Sequence, residues 1–188
     1  MSVVVAVKRD GVVYMGADTQ TTSGMAKTTY LKESNLKIRV FDNGIILGHV
    51  GSVAKKSIIA HSKNIIPKLK LENGVLTKRV IVEQLIPMLK KEEVFFDKEE
   101  GQIDVSALVA YKDKLFRLRN ETVTEICEFC SIGSGTNFAW TQLESFHKKL
   151  DPVSLLIKSM DASARNITSV SAPFVVVNTR DMKIEVVK

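Results

Sequence analysis

The chain has 188 residues, 45% of them hydrophobic and 26% charged, which predicts a single globular domain over residues 1–188. No apolar run approaches the roughly 20 residues that a membrane-spanning helix requires, and two cysteines are too few for a disulfide framework, so we expect a cytoplasmic protein without a membrane partner. The formal net charge is +6, but no aromatic residues interleave with the lysines, so nucleic acid is not an expected partner.

The chain opens with a predicted β-hairpin. Valine-rich runs at 3–7 and 12–18 flank Asp10 and Gly11, a pair that favours a tight hairpin turn. Ser2 comes directly after the initiator methionine, so removal of Met1 would leave a hydroxyl and a free α-amine on one residue. An α-amine has a reference pKa of about 7.7–8.0 and is partly neutral near pH 7. It can then accept the hydroxyl proton, which makes Ser2 a candidate N-terminal nucleophile.

The rest of the chain alternates between groups of strands and pairs of helices. We interpret the polar stretch 19–33 as a loop and the charged stretch 90–101 as a connection. Apolar alternation and turn residues predict strands at 36–41, 45–50, 105–111, 115–118, 123–127, 174–178 and 183–187. Apolar spacings of three and four predict helices at 51–70, 77–91, 136–148 and 152–166, with Thr77 and Asp151 as N-caps.

The pairing of the helices bears on the fold class. A parallel βαβ sheet needs about one helix per strand, and this chain does not have that pattern. The element order instead predicts an α+β fold, in which antiparallel sheets carry helix pairs on their faces.

Several short strings, taken together and in order, carry a resemblance to a known family. They are residues 5–11, 16–18, 37–38, 47–52 and 132–135. On these strings the chain resembles the proteasome β-subunit family and is most similar to its bacterial HslV-type branch. The resemblance implies the fold of the N-terminal nucleophile (Ntn) hydrolases, a four-layer αββα sandwich of two antiparallel sheets flanked by helix pairs. It also implies homo-oligomeric rings that cleave peptides or unfolded proteins in a chamber, an unfoldase ATPase as partner, and no cofactor for the chemistry.

The resemblance also implies a catalytic centre. Ser2 takes the place of the family's N-terminal threonine, and it lacks the methyl group that restricts a β-branched side chain. Asp18 and Lys37 match an aspartate and the lysine that it holds beside the nucleophile, although alternation alone does not say whether Lys37 points inward. Gly48 matches the glycine whose backbone N–H stabilises the oxyanion. Thr22 lies where the family contacts the substrate backbone.

Further positions match the family at the end of the chain. Ser134 and Ser169 match two supporting serines, although Gly-Ser-Gly is also a common opening of a helix. Asn166 stands where proteasome subunits carry an aspartate, and an amide cannot carry that charge. The resemblance further implies a cation bound by backbone carbonyls, at positions Arg165, Thr168 and Ser171.

Two other functions stay open on the sequence. A catalytically inactive, ring-forming structural subunit would explain the replacements at Ser2 and Asn166, and retention of Met1 would leave no free amine. An Ntn amidase for a small molecule would follow if side chains of the 19–33 stretch narrow the cleft.

Two remaining features are interpreted as structural. Cys127 and Cys130 have redox-like spacing, but a strand end disfavours a lowered thiol pKa. His49 follows Gly48 and either lines the cleft or is a core histidine, of which the second is favoured.

Overall fold

The part of the chain that the structure describes contains fourteen strands, three helices, a short 3-10 turn and the helical residues 63–65. The computed structural model describes residues 2–23, 26–29, 36–51, 63–91, 96–97 and 101–187. The strands are β1 (Val3–Arg9), β2 (Val12–Asp18), β3 (Gln20–Ser23), β4 (Ala26–Thr29), β5 (Ile38–Val40), β6 (Ile46–Val50), β7 (Phe96–Asp97), β8 (Gln102–Ile103), β9 (Ser106–Tyr111), β10 (Lys114–Arg119), β11 (Thr122–Glu125), β12 (Phe129–Gly133), β13 (Phe174–Asn178) and β14 (Glu185–Val187).

The helices differ in regularity. Helix α1 spans 78–91 and contains a π-helical turn, Ile81–Leu85, between two α-helical pieces. Helices α2 (Thr136–Phe146) and α3 (Pro152–Asn166) are regular, and a short 3-10 turn, Ile66–Lys68, precedes α1. Within the described residues, no helix is long and apolar enough to cross a bilayer.

Two five-stranded antiparallel sheets form the centre of the molecule. The first sheet has the order β12-β1-β2-β13-β14, and the second has the order β11-β10-β9-β6-β5. Two further ribbons, β3-β4 and β7-β8, have two strands each. Every paired strand runs antiparallel to its neighbour, as the helix pairing predicted.

Three hydrophobic cores separate four layers. Because side chains alternate along a strand, β1 sends Val4 and Ala6 to the core between the sheets and Val3, Val5 and Val7 to the core under α2 and α3. A third core lies between the outer face of the second sheet and α1. The predicted αββα sandwich is therefore confirmed, and its inner core holds the two sheets against each other.

Two predicted connections were wrong. Residues 19–33 are not a plain loop, because β3 and β4 pair from Gln20↔Thr29 to Ser23↔Ala26. The physical reason is that threonines, which are β-branched, favour strands even in a polar segment. Within 90–101, β7 forms a short ribbon with β8. Most of the predicted helix 51–70 lies outside the described residues, and its end is helical at 63–65.

The predicted caps are confirmed by hydrogen bonds. The Thr77 hydroxyl accepts a hydrogen bond from the Val80 N–H at 3.2 Å, and the Asp151 carboxylate accepts one from the Ser154 N–H at 3.0 Å. Asp10 and Gly11 adopt φ values of 52° and 73°, which is the left-handed geometry of the predicted first turn.

Candidate active site

Ser2 is fixed at the start of β1 by its own backbone. Its N–H donates to Ser134 Oγ at 3.1 Å, and its carbonyl oxygen accepts hydrogen bonds from Ser134 Oγ and from the Gly135 N–H, each at 3.3 Å. The residue is only 4% exposed. Ser134 therefore contacts both backbone groups of Ser2, which places the predicted supporting serine directly beside the predicted nucleophile.

A buried ion pair lies next to Ser2. Lys37 Nζ is 2.5 Å from Asp18 Oδ2 and donates a second hydrogen bond to the Gln20 carbonyl oxygen at 2.7 Å. The other carboxylate oxygen of Asp18 accepts the Val3 N–H at 2.9 Å. Asp18 and Lys37 are 0% and 2% exposed. The carboxylate thus connects the lysine to the amide that immediately follows Ser2.

Burial and the neighbouring Lys37 act in opposite directions on the pKa of Asp18. Loss of water raises the pKa of the Asp18 carboxyl, while the charge and hydrogen bond of Lys37 and the Val3 N–H pull that pKa back down. A buried ion pair is weak evidence for stability, because the two desolvation costs can exceed the attraction. Stability alone therefore does not explain the pair, and its contact with the Val3 amide places it next to Ser2.

Gly48 lies in the middle of the second sheet, opposite Ile38 of β5 and Leu108 of β9. A Cβ at this position would lie 2.5 Å from the sulfur of Met15 in the first sheet. A side chain at this position would therefore require Met15 and Val4, on strands of the first sheet, to shift. The next residue along β6 donates its N–H to the Lys37 carbonyl oxygen at 2.9 Å, which ties β6 to the lysine.

The two glycines around Ser134 allow close approach. Gly133 has a φ of 101°, and a Cβ there would lie 2.2 Å from the Ser2 carbonyl oxygen. A Cβ on Gly135 would lie 2.8 Å from the Cβ of Ser163 in α3. The Gly-Ser-Gly run thus opens α2 and also packs against Ser2, and the role of Ser134 as a supporting serine stays a prediction.

The remaining predicted site residues lie at the end of α3, in the segment that follows it, and in β3. Asn166 is exposed, and its side-chain amide donates to the Ala162 carbonyl oxygen of its own helix at 2.8 Å. Ser169 is buried, and its hydroxyl has no hydrogen-bond partner among the described residues. Thr22 lies in β3 with Lys27 as its register partner.

The predicted cation loop is anchored to β3 instead. The carbonyl oxygen of Thr168 accepts a hydrogen bond from Gln20 Nε2 at 3.0 Å. A carbonyl oxygen has two lone pairs, so this bond leaves Thr168 able to ligate a cation. The Arg165 side chain pairs with Asp161 on the surface, and Ser171 is half-buried. The cation at these three carbonyls stays a prediction.

Sequence reasoning missed two residues of this centre. Gln20 is 2% exposed and binds both Lys37 and Thr168. Thr19 is buried, and its hydroxyl donates to the Pro173 carbonyl oxygen at 2.7 Å. The sequence did hold a signal for these two residues. The polar run 18–23 directly follows the apolar part of β2 and includes one charged residue, Asp18.

The two remaining features are structural, as favoured. His49 is buried on the α1 side of the second sheet, in a cavity lined by apolar residues such as Leu47, Leu85 and Leu118. Burial raises the pKa of the Cys130 thiol, which disfavours the reactive thiolate form.

No protein-family model matches the sequence, and no curated protein matches it. The structure is similar to that of BPH from Thiobacillus denitrificans in complex with epoxomicin, with a TM-score of 0.73 and 21% identity, covering 94% of this chain and 97% of that chain. It is also similar to an Anbu (Gly-1) mutant from Hyphomicrobium sp. strain MC1, with a TM-score of 0.76 and 15% identity, covering 100% and 87% of the two chains. A third similar structure is eukaryotic HslV from Trypanosoma brucei, with a TM-score of 0.69 and 17% identity, covering 94% and 98%. These likenesses show that the chain has the proteasome-like Ntn-hydrolase fold.

Proposed function

We propose that this chain is a peptidase subunit of a self-compartmentalising, ring-forming protease, with Ser2 as its nucleophile after removal of Met1. The observation that carries the proposal is the buried Asp18–Lys37 pair, joined by one hydrogen bond to the Val3 amide. The likeness to HslV supports the same conclusion at the level of the fold. Epoxomicin, which the Thiobacillus protein binds, is then expected to bind here at Ser2.

The first half of the reaction forms an acyl-enzyme. The neutral amine of Ser2 accepts the hydroxyl proton while Oγ bonds to the scissile carbonyl carbon, and the carbonyl electron pair moves onto oxygen. Collapse of this intermediate breaks the C–N bond, and the leaving nitrogen takes the proton from the Ser2 ammonium. The Lys37 charge favours the neutral form of the amine and stabilises negative charge on Oγ.

The second half releases the product. Water gives a proton to the Ser2 amine and attacks the ester carbonyl, and the serine oxygen leaves with that proton. The oxyanion in both halves needs a backbone N–H donor. Gly48, the residue predicted for this role, does not fit it, because β6 is paired on both sides and the Gly48 N–H is directed at β9, while the next N–H, that of His49, bonds to Lys37 on the β5 side. The backbone of Thr22 is the proposed contact for an extended peptide. The chemistry itself requires no cofactor.

The assembly and its partner follow from the same proposal. Rings with the active sites inside exclude folded proteins, so an unfoldase ATPase would supply unfolded chains in the cytoplasm. The fold neighbours support a ring-forming subunit.

Substitution of the nucleophile tests the proposal. Ser2→Ala should reduce hydrolysis of a fluorogenic peptide to background and leave the assembled ring intact in native mass spectrometry. Ser131→Ala is the matched control, because that serine is buried and its hydroxyl has no partner among the described residues. Turnover that persists in Ser2→Ala would place the nucleophile elsewhere. An inactive wild type that has lost Met1 would favour the structural subunit.

A further inference from the structure

The second sheet extends beyond the first sheet at one side. The edge strand of the first sheet, β12, lies over β9 and β6 of the second sheet. Beyond it, β10 and β11 continue the second sheet. Near the start of β10 the inner face is still covered, since Leu115 is buried in the core between the sheets. The other end of this face is open to solvent: Arg119, Thr122 and Thr124 are exposed, and Arg117 is half-buried.

Four polar side chains share this open face. In the antiparallel register, Arg117 lies opposite Thr124 and Arg119 lies opposite Thr122. Since alternate residues of a strand point to the same face, the two arginines and the two threonines form one patch. They line a cavity of about 470 Å³ together with Asn120 and Glu121 of the connecting turn.

The cavity is positively charged. The one acid in its lining, Glu121, pairs with Lys90 of α1 at 2.8 Å, so its charge is already neutralised. Arg117 Nε is buried and has no acceptor in the part of the chain that the structure describes. Guanidinium groups bind carboxylates through two parallel hydrogen bonds, and the neighbouring hydroxyls add further donors. This is the donor set for a carboxylate.

A row of residues connects the cavity to Ser2. The Val50 side chain and the Ser2 carbonyl oxygen both lie within 3.1 Å of the point where a Gly133 Cβ would sit. Val50 lies opposite Ser106 in β9, and Ser106 lies opposite Arg119 in β10. Two strand spacings separate Val50 from Arg119, which is about 10 Å. An extended peptide covers that distance in about three residues.

We propose that Arg117 and Arg119 bind an acidic side chain of the peptide substrate, about three residues from the bond that Ser2 cleaves. The inference rests on the proposed function, because it names the substrate class of the same site. The peptidase then prefers acidic peptides, and the preference comes from the β10–β11 face and not from the cleft at Ser2.

A glutamate scan tests the preference during hydrolysis. In a set of quenched fluorescent peptides with amidated C-termini, one Glu is moved through every position, and each peptide is compared with its Gln counterpart. The ratio of kcat/KM for Glu over Gln should be about tenfold at a position near three residues from the cleaved bond, since a charged hydrogen bond is worth roughly that factor. Arg119→Gln should bring this ratio close to one. A ratio near one at every position, or an unchanged ratio in Arg119→Gln, overturns the proposal.

The control and the second readout separate this proposal from the proposed function. Arg180→Gln removes the same charge from an exposed turn at the opposite side of the first sheet, and it should leave the ratio unchanged.

Fluorescence anisotropy of the labelled Glu peptide with Ser2→Ala protein measures binding without hydrolysis. Weaker binding after Arg117→Gln or Arg119→Gln supports the acidic site even if the wild type cleaves nothing. Binding that depends on a free C-terminus and not on Glu would assign the cavity to a chain terminus and overturn the proposal.

Discussion

At the scale of single residues, Lys37 shows how a charge is placed in a core. Its neighbours Leu36 and Ile38 are both buried, so local alternation alone does not determine where the lysine points. The deciding partner is Asp18, which is distant in sequence and ends a strand of the other sheet. The sequence predicted this pair only through the family resemblance, because no local pattern links the two positions.

Lys37→Met should destabilise the protein and abolish hydrolysis. The substitution leaves the Asp18 carboxylate buried without its counter-charge, and breaking a buried pair in this way typically costs about 3–5 kcal/mol. Urea unfolding at pH 7 measures the loss. Lys63→Met, at an exposed lysine, is the control and should change the free energy of unfolding by less than about 0.5 kcal/mol. A Lys37→Met variant that keeps its stability and its turnover would contradict the role given to the pair.

The same variant has a predicted pH dependence. Burial already raises the pKa of Asp18 in the folded protein, and loss of Lys37 removes the main group that lowers it. A carboxyl with a raised folded pKa binds its proton more tightly in the folded state, so its stabilising contribution is present in acid and is lost as the pH rises through that pKa. Lys37→Met should therefore lose stability more steeply than wild type between acid and neutral pH. Parallel stability curves for the two proteins would be the contrary result.

Gly133→Ala should be more harmful than its backbone angle alone explains. The φ of 101° is unfavourable for alanine, and the added Cβ would meet the Ser2 carbonyl oxygen, which belongs to the backbone and cannot rotate away. Gly11 also has a positive φ, but a Cβ there meets nothing within 4 Å. We expect Gly11→Ala to cost about 1–2 kcal/mol and Gly133→Ala about 1–3 kcal/mol more, from overpacking. Equal losses in thermal unfolding would argue against the close approach.

At the scale of elements, sequence pattern predicted the strands and helices where turn and cap chemistry is strong. The first hairpin, the Thr77 cap and the Asp151 cap were read from local residues and are confirmed by their geometry. The β3–β4 ribbon was missed because the stretch is polar, and its polarity was given more weight than the strand preference of its threonines. The π-helical turn in α1 has no sequence signal that we recognise.

Removal of the α3 cap should destabilise the protein modestly. Asp151→Ala loses the hydrogen bond to the Ser154 N–H, and loss of an N-cap typically costs about 1 kcal/mol. Hydrogen bonds from the Ser154 hydroxyl and then from the Ser154 N–H lower the pKa of Asp151, so their contribution is present above the ordinary carboxyl pKa and disappears as the pH falls through the lowered value. Asp151→Asn keeps a capping oxygen and should retain most of the stability at pH 7. A stability loss in Asp151→Ala that persists unchanged in strong acid would show that the cap is not responsible.

At the scale of the whole molecule, the packing of the two sheets brings the site together, because Asp18 ends β2 of the first sheet and Lys37 directly precedes β5 of the second. The pairing of the helices predicted antiparallel sheets with helices on their faces, and the four-layer order was implied by the family resemblance. The position of the Thr168 carbonyl could not be predicted, because the contact of this segment with Gln20, in a distant strand, has no local pattern. The Arg117–Arg119 cavity likewise depends on how far one sheet extends past the other.

The central claim is that the amino terminus of the processed chain supplies both the nucleophile and the base. The most direct measurement is the intact mass of protein isolated from its native host, with and without an electrophilic peptide inhibitor, followed by mapping of the modified residue. We predict a mass that lacks Met1 and a single stoichiometric adduct on Ser2. A chain that retains Met1 and takes up no inhibitor would contradict the claim.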